Sequence, residues 1–266
     1  MIICCVNNKG GVGKTTFSCN LGVALARQEK NILVVDNDSQ CNSSSILLPP
    51  KTIIRNSMYE LLSDSISNKN EVSIDSCIYS SKYDGLYILP NVEETSGLDI
   101  ALGSLYPKSL KFLRNKVRDY AKKKFDFTII DCPPSLSIYV GFALHAADFV
   151  VVPLDAGSGH SLGGLRKALE LIDSIQASGN PDLKFLRLLI NRVDKRTSVG
   201  RVLIKDVTKR FGADQIFKTT IPINSPFQKA EYLNETIFNR SPTSKGATAY
   251  RNLAKEILSI LNNYKR

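Results

Sequence analysis

Apolar residues recur along this chain in short runs. Ile2–Val6, Ile32–Asp36, Leu86–Leu89, Phe127–Asp131, Phe149–Pro153 and Phe185–Ile190 are rich in Val, Ile, Leu and Phe, and Phe217–Ile221 is a shorter run of the same kind. Several are apolar on consecutive positions, the pattern of strands covered on both faces, as in a parallel sheet. Segments with helical spacing separate them. Thr15–Gln28 carries Leu21, Val23–Ala24 and Leu25. Leu110–Lys124 sets Leu110, Leu113, Val117 and Tyr120–Ala121 on one face, with basic residues opposite. Leu162–Ile175, Val199–Phe211 and Ala247–Leu261 read the same way. The alternation predicts an α/β fold: one doubly wound, mostly parallel sheet flanked by helices, in a single domain over residues 1–266. Asn42–Ser81 is the least regular stretch and reads as a helical excursion and loops within that domain.

The first strand runs into Asn7–Thr16, NNKGGVGKTT, and a helix follows. Glycines at 10, 11 and 13 let backbone N–H groups turn inward around Val12, and the helix N-terminus adds partial positive charge. Together these suit a polyphosphate. Lys14 would reach the β- and γ-phosphates, and the Thr15 hydroxyl would hold Mg²⁺. The general pattern G-x-x-x-x-G-K-[ST] asks for Gly at position 8; this chain has Asn8, followed by a second lysine, Lys9.

Two strands end in acid. Ile32–Asp36 continues as D-N-D-S-Q, and a carboxylate at the C-terminal end of a parallel strand lies at the ligand edge of the sheet. Asp38 is placed to orient or deprotonate a water attacking the γ-phosphate, and Asp36 to hold a Mg²⁺ water. Phe127–Asp131 continues as D-C-P-P-S, so Asp131 is the expected acidic partner of the phosphate loop, and Pro133–Pro134 stiffen the segment beyond it.

These motifs resemble the ParA/Soj/MinD family of deviant Walker A P-loop ATPases: KGGVGKTT with Lys9, then VVDNDSQ, IIDCPPS, the IPIN segment Ile221–Asn224 and the closing stretch Ser241–Leu258. The resemblance covers nearly the whole chain and is closest to the short partition ATPases. It implies a dimer with two ATP molecules at the interface, Lys9 of each subunit reaching the partner's phosphates, and Mg²⁺ as cofactor. It implies catalytic roles for Lys9, Lys14 and Asp38, and a nucleotide site built from Lys9, Gly10, Gly11, Val12, Gly13, Lys14, Thr15 and Thr16. Asn191, Pro222 and Asn224 fall at the adenine side, and Thr15, Asp36 and Asp131 at the metal. Ser39 stands where the family usually has Pro, and Cys132 where Thr, Ser or Ala is common.

Charge then narrows the function. Of the net +10, almost all lies from Asn191 onward, where 15 Lys and Arg face six Asp and Glu. Partition members of the family bind nonspecific DNA as ATP dimers and answer to a ParB-like centromere-binding partner. Lys195, Arg196, Arg201, Lys205, Lys209 and Arg210 lie in or beside one predicted helix and are candidate DNA contacts. Arg196 matches a DNA-binding Arg of Soj-like relatives. A second such Arg, after the IPIN segment, is replaced by Pro226, with Lys229 nearby. The phosphate loop begins at once, so no operator-reading helix-turn-helix is expected ahead of it. No leader-like segment and no apolar run of roughly 18 residues occurs, so a cytoplasmic, nucleoid-associated protein is expected, with no membrane partner.

Three alternatives compete with this reading. A MinD-like membrane-cycling ATPase would need an amphipathic tail beyond the fold, whereas Ala247–Leu261 reads as a core helix with only 262–266 following. An iron–sulfur relative would need a C-x-x-C or interfacial cysteines, and Cys4, Cys5, Cys19, Cys41, Cys77 and Cys132 form no C-x-x-C pair. A nucleotide-gated scaffold that does not hydrolyse ATP would not need the intact Asp38.

Overall fold

The computed structural model describes residues 1–135, 137–156 and 161–264. Its strands are β1 (Ile2–Cys5), β2 (Ile32–Asp36), β3 (Tyr79–Ser80), β4 (Leu86–Leu89), β5 (Phe127–Asp131), β6 (Phe149–Asp155) and β7 (Lys184–Asn191). They form one seven-stranded sheet in the order β3-β4-β2-β5-β1-β6-β7. All pairings are parallel except the two-residue edge β3–β4. After β1 the chain steps to one side of the sheet, and from β6 it builds the other. The carboxyl end of β1 therefore lies beside the switch point where α/β sheets take their ligands.

Every residue of β1, β2, β5 and β6 is buried. Alternate residues serve opposite faces. Ile2, Cys4, Leu33, Val35, Ile130, Val150 and Val152 join one apolar cluster, and Ile3, Cys5, Ile32, Val34, Ile129, Phe149 and Val151 join the other. The first cluster is closed by α3 (Met58–Ser67), α5 (Phe112–Lys124), α6 (Ile138–Ala146), α7 (Ser161–Ser178) and α8 (Ser198–Phe211), with α4 (Asp99–Ser104) at its rim. The second is closed by α1 (Lys14–Ala26), α2 (Asn42–Leu47), α10 (Ile237–Arg240) and α11 (Lys245–Asn262), and α9 (Ser225–Tyr232) lies beside them. This is the doubly wound arrangement read from the consecutive apolar runs. Residues 42–81 hold α2, α3 and β3, which pack on the same sheet.

One expectation fails. Phe217–Ile221 is not a strand; only the residues flanking it form isolated bridges, Ile216 with Leu188 and Pro222 with Val193. The N–H groups of Lys218 and Thr219 donate to the Glu256 carboxylate of α11 at 2.7 and 2.9 Å, which draws them out of a ladder, and Pro222 has no N–H to give. The helix Ala247–Leu261 is a core element as expected: Tyr250, Leu253, Ala254, Ile257 and Leu261 are buried against the sheet. Among the described residues, no helix is long and apolar enough to cross a membrane.

Tyr250 is wholly buried, its ring edge-on to Phe227 at 5.9 Å, and its hydroxyl has no hydrogen-bond partner among the described residues. A buried unsatisfied hydroxyl costs about 1–3 kcal/mol. Tyr250→Phe keeps the ring and removes that cost, so urea denaturation should find the variant more stable by about 1 kcal/mol. A loss of stability would mean that the hydroxyl is satisfied in solution.

Candidate nucleotide site and basic surface

The loop between β1 and α1 is braced from both sides. Asn7 Nδ2 donates to the Pro153 carbonyl of β6 at 2.7 Å, and Asn7 Oδ1 accepts the Lys9 N–H at 3.0 Å. Gly11 and Gly13 have φ of 72° and 87°, conformations that a side chain strains. A Cβ on Gly13 would also lie 2.3 Å from Asn191 Nδ2. Asn191 sits there because its amide donates to the Val12 carbonyl at 2.8 Å, so this residue, expected beside adenine, also braces the phosphate loop. Lys14 opens α1. Its Nζ donates to the Lys9 carbonyl at 3.0 Å, which curls the loop around its own cation. Val12 is buried beneath the loop, whereas Gly10 and Gly11 are exposed.

The parallel register brings the acidic strand ends to this loop. Asp131 pairs with Cys5 on one side and with Asp36 on the other. Ser18 of α1 donates to Asp131 Oδ1 at 3.0 Å, Ser43 of α2 donates to Oδ2 at 2.6 Å, and the Thr15 hydroxyl bonds the same carboxylate. Burial pushes the Asp131 carboxyl above its ordinary range, Asp38 adds to the rise, and the three hydroxyls oppose it. The Thr15 hydroxyl and an anionic Asp131 are hard oxygen donors of the kind Mg²⁺ takes, so the residues present fit that ion.

Asp36, expected to hold a Mg²⁺ water, pairs with Asp131 at the strand ends. It is wholly buried; Oδ2 accepts the N–H and hydroxyl of Ser44 at 2.8 and 2.7 Å, and Oδ1 accepts the Asp38 N–H at 3.3 Å. The carboxylate is engaged in holding α2 and the Asp38 turn. Burial, then the neighbouring Asp131, push its carboxyl up to about 7, against the Ser44 bonds. Asp38 is 8% exposed, and its Oδ1 accepts the Gln40 N–H at 3.1 Å.

A cleft of about 290 Å³ opens beside the loop, lined by Gly13, Thr16, Asn191, Pro222, Asn224 and Phe227 among others. Thus Pro222 and Asn224, distant in sequence, line the same cleft as the phosphate loop. Residues that sequence reasoning missed also stand here. Arg192, at φ 54°, donates from Nη1 to the Gly11 carbonyl at 3.3 Å, and Glu231 lines the cleft. The adjacency of Arg192 to Asn191 was the one available signal.

The basic candidates Lys195, Arg196, Arg201, Lys205, Lys209, Arg210 and Lys229 are all exposed. Arg201, Lys205 and Lys209 follow at intervals of four along α8, which sets them on one ridge opposite the buried Val207. Arg196 is gripped by Asp194 through Nε and Nη2 at 2.9 and 2.8 Å, so part of its charge is compensated locally. The Arg196 guanidinium holds the Asp194 carboxyl down to about 2. Lys229 stands apart, on α9. Lys195 shares an open groove of about 500 Å³ with Lys218 and Lys245, two lysines not singled out from the sequence.

An interior parallel strand leading through a glycine loop into a helix, with a carboxylate at the end of the next strand, defines a P-loop nucleotide-binding protein. Residues 1–185 match the family described as an AAA domain. The chain is 34% identical over 256 residues to sporulation initiation inhibitor protein Soj of Bacillus subtilis, covering 96% of this chain and 97% of that one. It is 34% identical over 257 residues to chromosome-partitioning ATPase Soj of Thermus thermophilus, covering 97% and 95%. Cobyrinic acid a,c-diamide synthase of Mycobacterium smegmatis, solved with a bound ATP analogue and magnesium, superimposes with a TM-score of 0.78 at 29% identity, covering 97% of this chain and 93% of that one. The chain belongs to the ParA/Soj/MinD family of P-loop ATPases.

The raised Asp36 carboxyl has a consequence for stability. Its contribution is present in full below its ordinary value of 3.8 and is lost as the pH rises through about 7. Asp36→Asn does not titrate. The melting temperature of the wild type relative to Asp36→Asn should therefore fall from about pH 4 to about pH 7. A pH-independent difference would mean that Asp36 ionises normally in the fold.

Proposed function

We propose that this chain is a DNA-partition ATPase: ATP and Mg²⁺ favour a homodimer, the dimer holds nonspecific DNA, and hydrolysis releases it. The observation that carries the reading is the meeting, at one sheet edge, of a phosphate loop bearing two lysines with the buried ends of β2 and β5. Lys14 exchanges the Lys9 carbonyl for phosphate oxygens. Gly10, Gly11, Val12, Gly13, Thr15 and Thr16 offer backbone N–H groups to the phosphates. Asn191, Pro222 and Asn224 border the base. Thr15 and Asp131 would hold Mg²⁺, which when bound draws charge off the β- and γ-phosphates. Asp36 acts by fixing the turn that carries Asp38, and Asp38 orients the attacking water and accepts its proton. Lys9 serves the partner subunit's phosphates, as a cation supplied in trans does. Two subunits present twice the basic surface of one, which raises affinity for a polyanion. A ParB-like centromere-binding protein would accelerate the slow intrinsic turnover. Residues 1–266 act as one domain in this scheme, within the cytoplasm and on the nucleoid.

The test is binding to random duplex DNA with Mg²⁺ and ATP, ADP or no nucleotide, using Asp38→Ala to hold the ATP state. Binding should appear with ATP alone, and Lys9→Ala should remove it together with the dimer seen by light scattering. Equal binding in all three states would sink the switch.

The groove and the α8 ridge make a finer prediction. Lys218→Glu with Lys245→Glu should weaken DNA binding at least about tenfold and lower its salt dependence by roughly one phosphate contact per lysine. ATP turnover should be unchanged. An unaltered salt dependence would confine DNA to the α8 ridge.

A further inference from the structure

Asn37 belongs neither to the phosphate loop nor to the basic surface. It is wholly buried between Asp36 and Asp38. Its N–H donates to the Asp131 carbonyl at 3.0 Å, one step beyond the Asp36–Asp131 pair, where the β2–β5 ladder ends. Its Nδ2 crosses to the first turn of α6 and donates to the Tyr139 carbonyl at 2.7 Å. The Tyr139 hydroxyl, with one proton to give, lies within donating distance of Asp99 Oδ1 at the start of α4, 2.7 Å away, and of the Thr95 carbonyl in the turn before it, 2.8 Å away. A chain of buried bonds therefore runs from the Asp38 turn, through α6, to the surface at α4.

Two features separate this from ordinary core satisfaction. First, the Asn37 Oδ1 is buried with no partner among the described residues, so the amide is held by one end only. An apolar side chain of similar size would fill the same slot without leaving an orphan acceptor. Secondly, Ser137, two residues before the carbonyl that Asn37 grips, carries a buried hydroxyl that is likewise unpartnered. An unfilled acceptor and an unfilled donor thus sit on the two segments that flank the Asp38 turn. Asp38 itself is held along its own strand, by the Asp36 and Gln40 bonds. Across to α6, the grip is that of Asn37.

We infer that Asn37 is a positioning residue for hydrolysis: it ties the Asp38 turn to α6, so that Asp38 and the segment following Asp131 keep one spacing. This rests on the ATPase reading above. The role is geometric, and a misplacement of about 1 Å in such a site costs up to about a hundredfold in rate. Because Asn37 holds the turn and does not touch the phosphate cradle, its loss should act on turnover and spare binding.

The experiment is steady-state ATP hydrolysis by Asn37→Leu, with Asn37→Ser as a second, smaller variant should Leu not fold. ATP-analogue affinity and melting temperature are measured on the same samples. The expected result is a kcat lower by about ten- to a hundredfold, with analogue affinity within about twofold of wild type and a folded protein. A kcat near the wild-type value, or a fall matched by an equal loss of analogue affinity, would overturn the inference. The wild-type rate separates the two proposals. An active wild type with an equally active variant removes the role of Asn37 alone, whereas a wild type without ATPase activity removes both.

Discussion

Two carboxylates lie buried side by side at the ends of β2 and β5, and the site is arranged around them. Parallel pairing leaves no choice in the matter. Once Cys5 and Asp36 both register with Asp131, the phosphate loop, the Asp38 turn and the segment after Asp131 must leave the sheet at one edge. Burial pushes both carboxyls upward; Asp131 adds to the rise at Asp36, and Asp38 to the rise at Asp131. The hydroxyls of Ser18, Ser43 and Ser44 offset that cost while fastening α1 and α2 to the sheet. That cost is accordingly borne by the elements that line the phosphate loop.

Much of this was legible in the sequence. Consecutive apolar residues in six of the strands announced two covered faces, and the apolar clusters divide along those alternating residues. The phosphate loop was legible because its glycines serve the backbone locally. What escaped was non-local. α6 is apolar nearly throughout and buried nearly throughout, so it carries no helical stripe against which to read it. Phe217–Ile221 has strand composition, yet Glu256, far along the chain, takes the N–H groups that a ladder would need. Asp36 looked equivalent to any acid at a strand end. Its partner Ser44 is near in sequence, but only the start of α2 brings the Ser44 N–H and hydroxyl onto one oxygen. Lys218 and Lys245 are scattered singly in sequence and share a groove with Lys195 only through the packing of α11.

The basic surface obeys a different economy from the nucleotide edge. Its cations are exposed, so each is worth little to the fold and is screened by salt. Even the bidentate Asp194–Arg196 pair is a solvent-exposed contact. Residues unconstrained by packing are free to be placed for a ligand, and here Arg201, Lys205 and Lys209 share one ridge and Lys195, Lys218 and Lys245 one groove, with Lys229 apart on α9. The nucleotide edge is the reverse: Lys14, Asp36, Asp38 and Asp131 are buried, and buried charges are costly to alter one at a time.

Lys14 joins the two regimes. A lysine that is 6% exposed must find a partner, and here it takes a carbonyl of its own loop. That bond is neutral at the acceptor end, whereas a phosphate oxygen is anionic, and charge-assisted bonds are roughly twice as strong. The loop is therefore held closed by an interaction weaker than the one it is built to make. A polyphosphate does not need to create the cradle; it needs only to outbid the Lys9 carbonyl. In doing so it would free the backbone of the residue whose side chain is the second lysine. Under the proposed function, phosphate binding and the setting of Lys9 would be one event, because Lys9 supplies the carbonyl that Lys14 would give up.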